Sequence, residues 1–462
     1  MTAGADLTRV HRVHMVGIGG AGMSAIARLL LARGIEVSGS DLKRSRTTDE
    51  LRSAGAVVFV GHAAEHVQAR GRPGAVVVSA AIPEGNPELV RARHDGLPVW
   101  TRAEVLAALM RGARSIAVSG THGKTTTTSM VSVILERAGL EPSFVIGGDL
   151  NESGTGARHG SGDWFVAESD ESDGSFLLLQ PEIAVVTNVA DDHLNFYRDA
   201  HQIRRAFASF FERADTIVAC GDDQGVLESL SIAEREAITY GTRPENRARV
   251  SIERPEQWGA RGALEVNGER VPISLQVRPP HNVLNAAAAI LAAVQAGVTM
   301  QEAAEALRSF TGVRRRFEFR GMAHGAEFYD DYAVHPTEVA AVLGAVPPGR
   351  RRTWAVLQPQ RYTRTMALWR RLGESLSSAD VVVVTDVYPA SEEPIPGVTG
   401  KLVVDSITEA RPTKRVVYLP HRSEVVDFLV REVGPGDVVL TLGAGDITMV
   451  AEETLERILE SA

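Results

Sequence analysis

The run Gly120-Thr121-His122-Gly123-Lys124-Thr125-Thr126-Thr127-Thr128 holds the residue types that grip a polyphosphate. Glycines let backbone N–H groups turn inward without a Cβ clash. A helix that starts just after them adds unpaired N–H donors and the positive end of its dipole, which favour an anion. Lys124 supplies a point charge for β- and γ-phosphates, and Thr125 a hydroxyl for Mg²⁺. The loop departs from G-x-x-x-x-G-K-[ST] at Val118, which occupies the first glycine position. The competing reading is a tight strand-to-helix turn. Four threonines after Gly-Lys make a poor helix start without a ligand, which favours the phosphate cradle.

A second glycine loop, Gly17-Ile18-Gly19-Gly20-Ala21-Gly22, fits G-x-G-x-x-G, and Asp41 closes the following strand at the spacing of a ribose-binding acid. Alone, this loop reads as dinucleotide binding, or as glycines that serve only helix–strand packing. A dehydrogenase has no use for the Lys124 loop. Two phosphate loops in one chain suit a nucleoside triphosphate together with a second nucleotide-bearing substrate.

Glu168-Ser169-Asp170-Glu171-Ser172-Asp173 follows the apolar Trp164-Phe165-Val166-Ala167, and acids at a strand end beside a phosphate loop can hold Mg²⁺. A solvated charged face is the alternative. His193 ends Asn188-Val189-Ala190-Asp191-Asp192-His193 and reads either as a metal ligand or as ordinary structure, since imidazole is an unusual partner for hard Mg²⁺. Asn282 and Asn285, three apart on one helix face, suit an adenine edge, with helix capping by Asn282 as the competing role. Arg315, Arg316, Arg361 and Arg364 have the planar forks that capture carboxylate or phosphate.

Strand and helix patterns alternate in three blocks, which predicts an α/β fold with mostly parallel sheets. The boundaries fall at residues 1–112, 113–315 and 316–462, with Arg111-Gly112-Ala113 and Arg314-Arg315-Arg316 at the joints. The first block has strands near Val13–Val16, Ile35–Ser38, Ala56–Val60 and Ala75–Ser79. In the second, Asn267-Gly268 predicts a two-residue hairpin turn before a helix from Asn282. The third has strands near Thr353–Leu357, Val381–Asp386, Val416–Leu419 and Val438–Leu442.

A chain of 462 residues accommodates two to four domains. Its formal net charge of −9 argues against a nucleic-acid partner. The single cysteine, Cys220, excludes an internal disulfide framework and reads as a small buried hydrophobe. Met1 to His14 carries no apolar signal-peptide core, and Ala286 to Val294 is too short to span a bilayer. The expectation is a cytoplasmic protein without membrane insertion, a monomer or a homodimer.

In type, order and spacing these motifs resemble the Mur ligase family, ATP-dependent amide-bond ligases of peptidoglycan precursor synthesis. His14-Met15-Val16-Gly17-Ile18-Gly19-Gly20-Ala21-Gly22-Met23, with Gly120 to Thr126, resembles its alanine-adding type, and the likeness runs to Gly443-Ala444-Gly445-Asp446. It implies a three-domain architecture: a Rossmann-like UDP-sugar domain, a central P-loop ATPase domain and a Rossmann-like amino-acid domain. It implies that ATP drives the joining of L-alanine to the lactyl carboxylate of UDP-N-acetylmuramate through an acyl phosphate.

Carried over motif by motif, Gly17, Gly19, Gly20, Ala21, Gly22 and Met23 would meet the UDP-sugar, with Asp41 and Ser79. Gly120, Thr121, His122, Gly123, Lys124, Thr125 and Thr126 would hold the triphosphate, and Asn282 and Asn285 the adenine. Arg316 would reach the phosphates and Asp331 the ribose side of ATP. Thr125, Glu168 and His193 would serve Mg²⁺, Lys124, Glu168 and His193 would carry the chemistry, and Arg361 and Arg364 would face the amino acid. Two positions depart from the family pattern, Val334 and Gln360, where histidines are usual, and both fall near the amino-acid site. No lysine lies between His193 and Asp215 to serve as the carbamoylated lysine of some sister ligases.

Overall fold

The computed structural model describes residues 5–79, 81–151, 154–190, 196–253, 259–346, 349, 351–390 and 392–460. The chain divides into two compact units. One comprises Met1–Glu253, Arg261–Gln276 and Asn282–Thr311, and the other Arg254–Ala260, Val277–His281 and Gly312–Ala462.

The first unit holds two sheets. Strands β1 (Arg12–Val16), β2 (Glu36–Asp41), β3 (Val57–Val60), β4 (Ala75–Val78) and β5 (Val99–Thr101) are all parallel, in the order β3-β2-β1-β4-β5. Val13, Met15 and Val16 on β1 are fully buried, as expected of a strand covered on both faces. The order reverses between β1 and β4, so the chain after each strand opens onto one crevice.

The ten-stranded sheet comprises β6 (Arg114–Ser119), β7 (Ser143–Val145), β8 (Ala157–Arg158), β9 (Trp164–Glu168), β10 (Ile183–Val186), β11 (Thr216–Cys220), β12 (Ile238–Gly241), β13 (Ala248–Ile252), β14 (Ala260–Val266) and β15 (Glu269–Leu275). Its order is β15-β14-β13-β12-β11-β10-β6-β9-β7-β8. β6 lies parallel between β9 and β10, so the carboxyl ends of the three strands converge. The expected turn joins β14 to β15, with Asn267 and Gly268 both at positive φ (51° and 84°). The alanine-rich helix Asn282–Gln295 packs on the helix Lys124–Arg137, and its small side chains allow a close approach.

The second unit is a six-stranded sheet of β16 (Glu318–Ala323), β17 (Ala326–Asp331), β18 (Arg352–Leu357), β19 (Val381–Val384), β20 (Arg415–Tyr418) and β21 (Asp437–Leu442), in the order β16-β17-β21-β18-β19-β20. Only β16 runs antiparallel, in a bulged hairpin with β17 that sequence reading did not anticipate. Successive residues of β19 feed opposite cores: Val382 and Val384 pack on one face, Val381 and Val383 on the other. Among the described residues no helix is long and apolar enough to cross a membrane.

Candidate active site

The chain leaves β6 at Ser119 and turns through Gly120 to Gly123 into the helix Lys124–Arg137. Val118 belongs to the strand, fully buried and in register with Val185, which is why no glycine is required there. Gly120 sits at φ +132°, where an added Cβ would collide with the Thr187 hydroxyl and lie 2.9 Å from the Asn188 carbonyl. Gly123, at φ +81°, caps the helix without any side-chain hydrogen bond. The end of β10 holds the loop from outside. Asn188 accepts at Oδ1 from the His122 amide (2.8 Å) and donates from Nδ2 to its carbonyl (2.9 Å), while the Thr121 amide donates to the Asn188 carbonyl (3.0 Å). The first-turn amides of the helix are thus presented by a clamped loop, the arrangement an anion needs.

Lys124 Nζ donates to the Gly120 carbonyl at 2.6 Å and to Glu171 Oε2 at 2.8 Å. Burial disfavours its charge, but Glu171 and Asp170 outweigh that and raise its pKa above the ordinary lysine value. Thr125 Oγ1 donates to Glu168 Oε1 (3.1 Å), and the other oxygen of Glu168 accepts from the Gly147 amide (2.6 Å). A hydroxyl and a carboxylate placed together beside the phosphate loop are hard oxygen donors of the kind Mg²⁺ prefers.

The acidic run is mixed, with Glu171 buried, Glu168 and Asp170 half-buried and Asp173 exposed. Glu171 is 1 % exposed, Asp170 is engaged by Ser172, and Asp173 accepts from the Ser175 amide. Tyr197 donates to the Glu171 carbonyl (2.5 Å) and is buried, which raises its pKa. Glu171, which sequence reading took only as one acid of a run able to hold Mg²⁺, pairs with Lys124, and Asn188, which it quoted without a role, clamps the loop. His193, with Asp191 and Asp192, lies outside the described residues.

Asn285 is brought to the loop itself: a Cβ on Gly123 would stand 2.7 Å from its Oδ1. Its Nδ2 donates to Asn282 Oδ1 (2.9 Å), and both side chains are buried. Asn282 is already the first residue of its helix.

The first glycine loop is fastened to the end of β2. The amides of Gly17 and Ile18 both donate to the Ser40 carbonyl (2.9 and 3.0 Å), and the Gly19 amide donates to Asp41 Oδ2 (2.8 Å). A Cβ on Gly19 would come within 2.9 Å of Asp41 Oδ2 and 3.0 Å of Thr48 Cγ2. Gly20 caps the helix Ala21–Ala32 with no side-chain bond, so the amides of Ala21, Gly22 and Met23 face the crevice as its first turn. Ser79 follows β4 across the switch point, its Oγ 3.9 Å from where a Gly17 Cβ would lie. Its neighbour Ala80 lies outside the described residues. Arg102, which sequence reading did not single out, packs its side chain over Gly22 and makes no hydrogen bond or ion pair with the described residues.

In the second unit, Arg315 braces the loop after β21, donating to the carbonyls of Gly443 (2.6 Å) and Ala444 (3.1 Å) and to Asp330 (3.1 Å). Asp331 is buried and accepts from the amides of Phe317 (2.7 Å) and Ala333 (2.8 Å). Burial pushes its carboxyl up to about 6, against the lowering influence of Arg316 and the Phe317 amide. Arg361 starts the helix Tyr362–Ser375 at φ +62°, a strained conformation for a side-chain-bearing residue, and leaves its side chain exposed. Arg364 donates to Gln360 Oε1 at 2.6 Å. Val334 is buried, and the next residue, His335, caps the helix Pro336–Gly344.

Three family models match in succession: Mur ligase family, catalytic domain, at residues 12–114; Mur ligase middle domain at 118–293; and Mur ligase, glutamate ligase domain, at 315–445. The chain is 48% identical to a UDP-N-acetylmuramate–L-alanine ligase of Saccharopolyspora erythraea, over 98% of this chain and 95% of that protein. It is 44% identical to the Pelotomaculum thermopropionicum ligase of the same description, over 98% and 99%. Among solved structures it resembles the UDP-N-acetylmuramate–alanine ligase of Thermotoga maritima, with TM-score 0.83 and 30% identity over 98% of this chain and 100% of that one. A murein peptide ligase of Psychrobacter arcticus follows at TM-score 0.72 and 25% identity, over 97% and 98%.

Proposed function

The chain belongs to the Mur ligase family, and from that premise we propose that it is an ATP-dependent ligase joining L-alanine to the lactyl carboxylate of UDP-N-acetylmuramate. The observation that carries this reading is the presence of two clamped anion loops, one bearing Lys124 and one not, in a chain similar end to end to alanine-adding ligases. The domains divide at residues 1–112 for the UDP-sugar, 113–315 for ATP and 316–462 for the amino acid. The reaction belongs to the cytoplasm, where ATP and the nucleotide sugar are available.

In the first step a lactyl carboxylate oxygen attacks the γ-phosphorus of ATP, the bond to ADP breaks, and an acyl phosphate forms. The α-amine of L-alanine then attacks the acyl carbon, loses a proton, and inorganic phosphate leaves from the tetrahedral intermediate. Lys124 and the first-turn amides hold the phosphates in line and neutralise developing charge. Thr125 and Glu168 are the described residues that would hold Mg²⁺, which lowers the repulsion between the phosphates and the incoming carboxylate when bound. His193 joins them on the family likeness. Asn282 and Asn285 read the adenine, Arg316 and Asp331 the phosphate and ribose sides of ATP, and Arg361 and Arg364 the alanine carboxylate. Arg102 closes over the UDP pyrophosphate at the start of the helix Ala21–Ala32.

Phosphate release measured with UDP-N-acetylmuramate, ATP and a panel of acceptors tests the reading. L-Alanine should support turnover. A preformed tripeptide supporting it instead would reassign the chain to the peptide-adding branch, and no acceptor-dependent release would leave only a nucleotide-binding scaffold.

A further inference from the structure

Behind the first glycine loop, β1, β2 and the helix Pro87–His94 enclose a cluster of ionisable groups with no part in the chemistry described above. At its centre is Glu88, 0 % exposed, in the first turn of that helix. Its Oε2 accepts from Ser40 Oγ at 2.5 Å, and its Oε1 accepts from the Ala63 amide at 3.2 Å. Three histidines surround it. His66 Nδ1 lies 3.0 Å from Oε1, His14 Nε2 3.5 Å from Oε2, and His62 Nδ1 3.6 Å from Oε2. Phe59 stacks flat on the His66 ring at 4.4 Å and fixes its plane. His14 is itself fully buried, with Nδ1 3.0 Å from Ser38 Oγ. A lone pair on His14 Nε2 would repel the carboxylate, so that nitrogen carries the proton.

Burial alone would raise the Glu88 carboxyl, yet contacts with His14, Ser40 and the Ala63 amide bring it down to about 2, so it is an anion at neutral pH. A buried charge is seldom the most stable way to fill a core; apolar residues of similar volume often do as well or better. What the charge achieves here is visible in its shortest contact, with Ser40. Ser40 is gripped by Glu88 through its hydroxyl, and its carbonyl accepts the amides of both Gly17 and Ile18. The adjacent Asp41 accepts the Gly19 amide. Three consecutive loop amides therefore take their positions from a two-residue segment that Glu88 anchors.

We infer that Glu88 is a positioning residue for the UDP-sugar loop: through Ser40 it sets the height and tilt at which Gly17 to Gly19 lead into the helix Ala21–Ala32. The inference rests on the assignment of that loop to the UDP-sugar. Glu88 touches no substrate, and its effect is confined to the first glycine loop, since the Lys124 loop is clamped by Asn188 instead.

The test is titration calorimetry of the full chain with UDP and, separately, ADP, on the parent, Glu88→Gln and Ser40→Ala, well below the melting temperature of each. Both variants should bind UDP about tenfold or more weakly, with ADP affinity within twofold of the parent. Steady-state kinetics should show the KM for UDP-N-acetylmuramate rising while kcat changes little. UDP affinity equal to the parent in a folded variant would overturn the inference and leave the cluster as core structure, as would equal weakening of UDP and ADP. Should Glu88→Gln not fold, Ser40→Ala decides alone, because it removes one hydroxyl and leaves Glu88 its Ala63 and His66 contacts. If the parent fails to bind UDP, the loop assignment itself falls and the inference with it, an outcome distinct from a parent that binds and variants that do not differ.

Discussion

Lys124 Nζ and Glu171 Oε2 stand 2.8 Å apart, with side chains 13 % and 2 % exposed, so the cation of the phosphate loop is partnered by a buried protein carboxylate. Phosphate oxygens must share or replace that carboxylate. The lysine therefore has a structural role beside its proposed chemical one, and substitution separates them. Lys124→Ala should lower turnover about a hundredfold or more, the scale of one preorganised charge at a transferring phosphoryl group. It should also lower stability, because the buried Glu171 carboxylate loses the ammonium that stands 2.8 Å from it. Lys124→Ala combined with Glu171→Gln should recover most of the stability and none of the turnover. Recovery of activity in the double variant would show that Lys124 serves only to neutralise Glu171.

The two glycine loops should fail independently. Gly19→Ala puts a methyl 2.9 Å from Asp41 Oδ2, and Gly123→Ala puts one 2.7 Å from Asn285 Oδ1 at a positive φ. The first should raise the KM for UDP-N-acetylmuramate and spare that for ATP; the second should do the reverse. Asp41→Ala should follow Gly19→Ala. Crossed or equal effects in steady-state kinetics would contradict the assignment of two loops to two nucleotides.

Arg102 lies over the start of the helix Ala21–Ala32 with no described acidic partner. If its charge meets the pyrophosphate, Arg102→Ala should weaken UDP about tenfold or more and leave uridine binding unchanged. Competition titration with the two ligands reads this directly, and equal losses for both would place Arg102 on the base or on the fold.

The elements legible in the sequence were those whose side chains meet one local demand. Continuous apolar runs such as Val381–Val384 mark strands buried on both faces, and Asn267-Gly268 marks its turn through the positive φ both residues adopt. The β16–β17 hairpin escaped because its strands mix charges with aromatics and its turn is His324-Gly325, at φ 49° and 72°, rather than Asn-Gly. The site divides in the same way. Glycines, Lys124 and Thr125 announce themselves by spacing. Glu171 needed the distance to Lys124 to distinguish it from its acidic neighbours, and Arg102 and Glu88 act on loops far from them along the chain.

Two buried carboxyls should give the pH dependence of stability opposite slopes. Glu88 is lowered to about 2 from an ordinary 4.5, so its contribution is present above pH 4.5 and is lost as pH falls through 2. Asp331 is raised to about 6 from 3.8, so its contribution is present below pH 3.8 and is lost as pH rises through 6. Relative to the parent, Glu88→Gln should become less stable as pH rises from 2 to 4.5, whereas Asp331→Asn should gain as pH rises from 4 to 6. Denaturant unfolding across that range checks both signs, and parallel curves for either variant would show that its carboxyl does not titrate as the burial and contacts require.

The two departures from the family pattern, Val334 and Gln360, fall at the proposed amino-acid site. Val334 is buried and offers the amino acid no hydrogen bond from its side chain, while its amide is taken by Glu338 (3.0 Å). Gln360 instead steadies Arg364, accepting from Nη1 at 2.6 Å, and an amide does so without changing charge with pH as a histidine would. Recognition should therefore fall to the guanidinium groups. Val334→His should change the KM for L-alanine by less than about tenfold, the scale of one net hydrogen bond. Arg361→Ala or Arg364→Ala should raise it considerably more, since each strips a charged partner from a carboxylate. Gln360→Ala should fall between them, because it leaves Arg364 in place but loosely held. Kinetics on the four variants at saturating ATP and UDP-N-acetylmuramate would show it: arginine variants that use alanine as well as the parent does would place the amino-acid site elsewhere.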